Sequence, residues 1–354
     1  MTGNKRNVLL SPLDWGLGHA ARCIPLIGSF LNQGSEVTVF ASIQLIGFLR
    51  IRFPDINYIE DKTPSFSYGL NGTDFFRLAG MALRMKRAVR AENKICEEIC
   101  VQDKYDLVVS DNRYGFRYNG IKSVLITHQL QPIPPPFLRF GNQVMKRFLS
   151  NIYKSFQEVW VPDFSAFPGL GGRLSHPEPA IPGVRYLGPL SRFSEFPAAK
   201  TQPDPYSVLI LTSGPAKHRN EMAEKLSDIF SNKDCRISVA GTELNNRSDI
   251  RCFESPSDIE LLTLIRESGI IVSHSGYSTV MDLFEAGRSA ILFPTRGQTE
   301  QQYLAQLHSD SFVVAKRFND IAAIAEDHNK LISTLVAKED ILLRRKNIQM
   351  INLR

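Results

Sequence analysis

The chain has 354 residues and a net charge of +6, with 43% hydrophobic and 22% charged residues. That is ordinary globular material, long enough for about two domains. No apolar run reaches the roughly 18 residues of a bilayer span, and Val8-Leu9-Leu10 is too short for a signal-peptide core.

Five cysteines (23, 96, 100, 235 and 252) are odd in number and scattered. They read as buried thiols in a reducing cytoplasm rather than as a metal site or a disulfide framework. Residues 1–160 carry 20 Lys and Arg against 13 Asp and Glu, and the remainder carries 22 against 23. Two stretches of the basic half, 75–87 and 137–149, mix large apolar residues with cations. They fit either a peripheral element on an anionic membrane or a core-packing helix with a solvated face. No nucleic-acid module appears.

In chain order, residues 7–12 read as a strand, followed by a helix from Gly18 carrying Ile24, Leu26, Ile27, Phe30 and Leu31 towards a core. Residues 36–41 form the next strand, and further strands are expected at 56–59, 106–110, 123–127 and 158–161. Proline and glycine then crowd residues 162–205, and a second strand–helix series starts at 207. Strands alternating with helices predict two α/β units with parallel sheets.

The first strand leads into Asp14-Trp15-Gly16-Leu17-Gly18-His19-Ala20-Ala21-Arg22. Two glycines allow a tight turn, and His19 falls at a helix N-terminus, which disfavours the protonated ring. His19 is therefore the first choice for a general base, with Asp14, Asp111 and His128 behind it. Asp111 and His128 end strands whose carboxyl edges line ligand crevices in parallel sheets.

Residues 269–306 hold the densest pattern. A buried strand, Ile270-Ile271-Val272, breaks at Ser273-His274-Ser275-Gly276 and restarts as a helix with Val280, Leu283, Phe284 and Ala286. A helix N-terminus behind small residues suits a phosphate. Asp282 lies one and a half turns further on, and Gln301-Gln302 open the next helix.

The segment resembles the donor half of GT-B, two-Rossmann glycosyltransferases. It is most similar to the family 28-like enzymes that form lipid II from lipid I and UDP-N-acetylglucosamine. Their Ser-Gly-x-x-Thr-Val-x-Glu-Leu run is matched by residues 275–283, with Asp282 in place of Glu, and their Gln-Gln-x-x-Asn-Ala run by 301–306, with Ala305 in place of Asn. Residues 274–279 also resemble the His-Cys-Gly-Trp-Asn-Ser box of plant glycosyltransferases. The loop at 14–22 departs from the lipid II family's Gly-Gly-Thr-Gly-Gly-His and is similar to a less characterised bacterial and archaeal branch.

The resemblance implies two Rossmann-like domains facing an inter-domain cleft. Residues 1–161 would bind the acceptor, 162–206 connect, 207–335 bind the nucleotide-sugar, and 336–354 pack back on the first domain. Donor contacts are expected at Ser213, Gly214, Phe253, His274, Ser275, Gly276, Ser278, Thr279, Asp282, Gln301 and Gln302. The implied activity is inverting, metal-independent transfer of N-acetylglucosamine or another hexose from a UDP-sugar. No cofactor is expected, and no Asp-x-Asp occurs. The acceptor is expected to be lipid-linked or a cell-envelope glycan at the inner face of the membrane. A 2-epimerase acting on UDP-N-acetylglucosamine and a non-catalytic nucleotide-sugar-binding subunit remain as alternatives.

Overall fold

The computed structural model describes residues 5–63, 75–134, 142–197, 201–214, 216–231, 233–244 and 247–351. It divides into two compact units, Met1–Leu190 and Ser191–Arg354.

Unit 1 runs β1 (Asn7–Pro12), α1 (Leu17–Asn32), β2 (Glu36–Ala41), α2 (Ile43–Arg50), β3 (Asn57–Glu60) and α3 (Phe75–Gln102). It continues through β4 (Leu107–Asp111), β5 (Lys122–Ile126), α4 (Asn142–Tyr153), β6 (Glu158–Val161) and β7 (Val184–Tyr186). The described strands pair in parallel in the order β3-β2-β1-β4-β5-β6-β7. Both faces are covered, which is why β1 and β4 are apolar almost throughout. Val8 and Leu10 pack with α1 and α2, whereas Leu9 and Val108 face Phe40, Cys96, Cys100 and Phe116. Each such side chain stabilises by about 1.5–3 kcal/mol when fully buried.

Unit 2 contains β8 (Asp204–Leu211), α5 (Ala216–Ser231), β9 (Arg236–Ala240), β10 (Arg251–Phe253), α6 (Asp258–Glu267) and β11 (Ser268–Ser273). There follow α7 (Tyr277–Ala286), β12 (Ile291–Leu292), α8 (Thr299–Leu307), β13 (Val313–Val314), α9 (Phe318–Ala325) and α10 (His328–Ile351). Its parallel strand order is β10-β9-β8-β11-β12-β13. A capping box starts α6: the Ser257 hydroxyl accepts from the Glu260 amide at 3.3 Å, and Glu260 accepts from the Ser257 amide at 2.9 Å.

The division at Leu190 and Ser191 shares the expected 162–206 connector between the units, since β7 completes the first sheet. The closing helix is longer than the expected 336–354. Within unit 2 it packs on β11, β13 and α9, and its Glu339 holds Arg288 at 2.7 Å.

Among the described residues, no helix is long and apolar enough to cross a membrane. Side chains of 75–83, and all of 137–141, lie outside the described residues, as does much of the expected membrane-facing material. Of the remainder, Met145, Phe148 and Leu149 pack into the unit 1 core, while Lys146 and Arg147 are exposed.

Candidate active site

In each sheet the chain reverses its direction of winding at one point, and there the loops at the strands' carboxyl ends diverge and leave room for a ligand. In unit 1 that point lies between β1 and β4, whose ends are in register as Pro12 and Asp111. The loop from β1 stays close to β4, because the Leu13 amide donates to the Asp111 carbonyl at 3.0 Å. Gly16 then takes φ 89°, a backbone angle that a side chain would strain, and α1 begins at Leu17.

His19 lies in the first turn of α1 and faces Asp111 across the register. Its Nδ1 is 2.9 Å from Asp111 Oδ2; the ring is 15% exposed and the carboxylate fully buried. Arg22, one turn later on the same helix, donates through Nε to Asp111 Oδ2 at 2.9 Å and through Nη2 to Oδ1. Its Nη2 is 2.7 Å from His19 Nδ1, and its Nη1 is 3.3 Å from Nδ1 of buried His128.

Burial, and then the Arg22 charge, lower the proton affinity of His19, and the Asp111 carboxylate only partly restores it. Burial pushes the Asp111 carboxyl up, but Arg22 and His19 outweigh that and hold it below its usual range. The cluster can hold a neutral imidazole against a fixed anion, which is what a general base requires.

Three of the four expected catalytic residues, His19, Asp111 and His128, thus come together. Asp14 is half-buried on the 13–16 loop beside exposed Trp15 and makes no bond to the cluster among the described residues. Arg22 was not on the expected site list. Its signal was the three-residue spacing from His19, which places both on one helix face.

In unit 2 the reversal lies between β8 and β11, whose ends are in register as Leu211 and Ser273. The loops at 212–214 and 274–276 leave these neighbouring strands and lead to the N-termini of α5 and α7. Ser213 and Gly214 are exposed, Gly214 with φ 95°. Open space adjoins Gly276, where an added Cβ would meet only Thr279 Oγ1, at 3.9 Å. Ser278 and Thr279 sit partly exposed in the first turn of α7, and Phe253 is partly buried at the end of β10. Two helix N-termini facing one sheet edge suit a diphosphate.

His274 stands ahead of α7. Its Nδ1 donates to the Phe293 carbonyl at 2.9 Å, which leaves Nε2 as the nitrogen for a ligand. Burial lowers its proton affinity, the bond to Phe293 opposes this, and nearby His218 adds to the lowering.

Three further expected donor residues have side chains engaged within the protein. Buried Ser275 donates its hydroxyl proton to the Gln301 carbonyl at 2.8 Å. The Gln301 amide accepts from the Thr295 amide at 2.8 Å and donates to Gln298 Oε1 at 2.7 Å, while Gln302 is exposed. Asp282 is buried, accepting from the Ser191 hydroxyl at 2.7 Å and from Arg192 Nε at 3.1 Å. Burial raises its carboxyl above the usual range, against the pull of Arg192. Ala305, where the resembling family has Asn, is 1% exposed.

Residues 253–341, from the end of β10 to just past the middle of α10, match the glycosyltransferase family 28 C-terminal domain. The chain is a glycosyltransferase that carries this domain. An uncharacterised glycosyltransferase of Methanosarcina acetivorans is 24% identical over 331 residues, 86% of this chain and 81% of the relative. Among solved structures, the calicheamicin glycosyltransferase CalG4 superimposes with a TM-score of 0.67 at 13% identity, covering 99% of this glycosyltransferase and 95% of CalG4. Arabidopsis thaliana UGT89C1 complexed with UDP-L-rhamnose gives a TM-score of 0.61 at 15% identity, covering 96% and 94%. The two parallel α/β units are those of the GT-B fold.

Proposed function

We propose that this glycosyltransferase moves N-acetylglucosamine or another hexose from a UDP-sugar to an acceptor hydroxyl with inversion. The observation that carries the reading is the His19–Asp111 contact of 2.9 Å at the winding reversal of the first sheet. It supplies a neutral base with one ring nitrogen, Nε2, left for an acceptor proton. The acceptor oxygen bonds to the anomeric carbon as its proton passes to His19. The bond from that carbon to the diphosphate breaks, and UDP leaves.

The α7 N-terminus, the Gly214 loop ahead of α5 and His274 take the charge of the leaving diphosphate. The UDP-L-rhamnose complex of UGT89C1 supports a uridine nucleotide. Because protein groups carry that charge in this reading, turnover persists in a chelator, and a strict requirement for a divalent cation contradicts it.

The basic balance of residues 1–160 supports a lipid-linked or cell-envelope acceptor and work at the inner membrane face. Co-sedimentation with anionic vesicles at low salt, fading at high salt, is the outcome expected from this. Its absence at low salt contradicts the membrane part of the proposal.

The test of the reaction is a nucleotide-sugar screen by thermal shift, followed by incubation of the best donor with and without lipid-linked and soluble glycan acceptors. Transfer with inverted anomeric configuration, read by NMR, is the expected result. Conversion of the UDP-sugar to an isomer in the absence of acceptor would instead mark a 2-epimerase.

A further inference from the structure

One buried charge in the unit 1 cluster has no part in that reaction scheme. Arg22 is 2% exposed, and its guanidinium reaches three other members of the cluster. It grips both Asp111 oxygens, approaches His19 Nδ1 to 2.7 Å and reaches His128 Nδ1 at 3.3 Å. A carboxylate paired only with an imidazole is free to turn about its side-chain torsions and so to change the angle at which it holds the ring. A bidentate guanidinium removes that freedom, because its fork fits the carboxylate in one plane.

We propose that Arg22 is a positioning residue for the transfer reaction: it fixes the Asp111 carboxylate against the His19 ring and ties the pair to His128. The inference rests on His19 being the base.

Two consequences follow. First, the Asp111 carboxylate only accepts, so by holding it on Nδ1 of His19, Arg22 supports the tautomer with its proton on Nδ1 and leaves Nε2 for the acceptor. Second, the charges of Asp111 and Arg22 balance while the ring is neutral, so a proton on His19 adds an uncompensated charge to a buried cluster. The groups facing the ring are Arg22 on α1, Asp111 at the end of β4 and His128 after β5. The neighbouring Cys23 thiol on α1 is held protonated by burial and by the Asp111 charge. Arg22 is the cation among them that does not titrate.

The test combines two variants with two readouts. In Arg22→Gln, the His19 imidazole resonance should titrate at higher pH than in the wild type. The acidic limb of the pH–rate profile should move in the same direction and by the same amount. In Arg22→Lys, which keeps the charge but loses the fork, the titration should stay near wild type. There kcat should fall by roughly tenfold or more, as a displaced base requires, with KM for the UDP-sugar within about twofold of wild type.

An unmoved His19 titration in folded Arg22→Gln overturns the proposal, and so does wild-type kcat in Arg22→Lys. Should Arg22→Gln fail to fold, the kcat against KM split of Arg22→Lys decides alone. Full turnover in His19→Ala would refute the base assignment instead, whereas the resonance reports Arg22's hold on the ring without reference to turnover.

Discussion

The hydroxyl of Ser191 donates to the carboxylate of Asp282 at 2.7 Å, joining the first residue of the second unit to the middle of α7. Arg192 adds a second bond to the other carboxylate oxygen at 3.1 Å and lies 3.8 Å from Asp258. Asp282 therefore anchors the start of unit 2 to the helix expected to receive the donor diphosphate.

Truncating that anchor should cost stability. Asp282→Ala leaves the largely buried Arg192 without its nearer carboxylate and the Ser191 hydroxyl without its acceptor. We expect a loss of about 2–4 kcal/mol, below the full cost of breaking a buried pair because Asp258 remains nearby. Urea denaturation reads this as a lower midpoint at unchanged slope. An unchanged midpoint means that the Ser191–Asp282–Arg192 link does not hold this region together.

His274 should bind a proton when the donor binds. Its Nδ1 proton is committed to the Phe293 carbonyl, so Nε2 can donate to a diphosphate only in the imidazolium form. The free protein lowers the proton affinity of this ring, so its stabilising contribution is present above the unfolded value of about 6.5 and lost as pH falls through the lower folded value. Donor binding opposes that trend. Affinity for a UDP-sugar, whose diphosphate does not itself titrate near neutrality, should rise as pH falls from about 8 to about 6. Calorimetry in buffers of different ionisation enthalpy should show proton uptake, and His274→Gln should abolish it. Wild-type binding without proton uptake would show that His274 Nε2 does not meet the diphosphate.

The adjacent glutamines should separate by role. Gln301 braces the 295–298 turn through Thr295 and Gln298, so Gln301→Ala should cost about 1 kcal/mol of stability. Exposed Gln302 has no such duty. Gln302→Ala should leave stability unchanged and weaken an intact UDP-sugar by about 0.5–1.5 kcal/mol while sparing UDP. Equal weakening of UDP and UDP-sugar would remove Gln302 from the sugar.

Much of the architecture was legible because buried parallel strands such as Ile270-Ile271-Val272 and Val8-Leu9-Leu10 are apolar on both faces and end at small or polar residues. The same rule placed His19, Asp111 and His128 at the carboxyl edge of one sheet, although 92 residues separate His19 from Asp111. Side-chain commitments were not legible. Whether Asp282 meets the donor or Ser191, and whether Gln301 meets the donor or the Thr295 amide, depends on contacts that no local pattern records. Arg22 was hidden differently: an arginine one turn into an amphipathic helix reads as solvated until the strands bring a buried carboxylate beneath it.

The most direct test is turnover of His19→Ala, with UDP affinity measured on the same preparation. A general base contributes about 10²–10⁴-fold, and the donor loops belong to the other unit. Turnover should therefore fall within that range, the acidic limb of the pH–rate profile should flatten, and the UDP Kd should stay within about twofold of wild type. Turnover within a few-fold of wild type would contradict the account, because the ring held by Asp111 and Arg22 would then not be the group that takes the acceptor's proton.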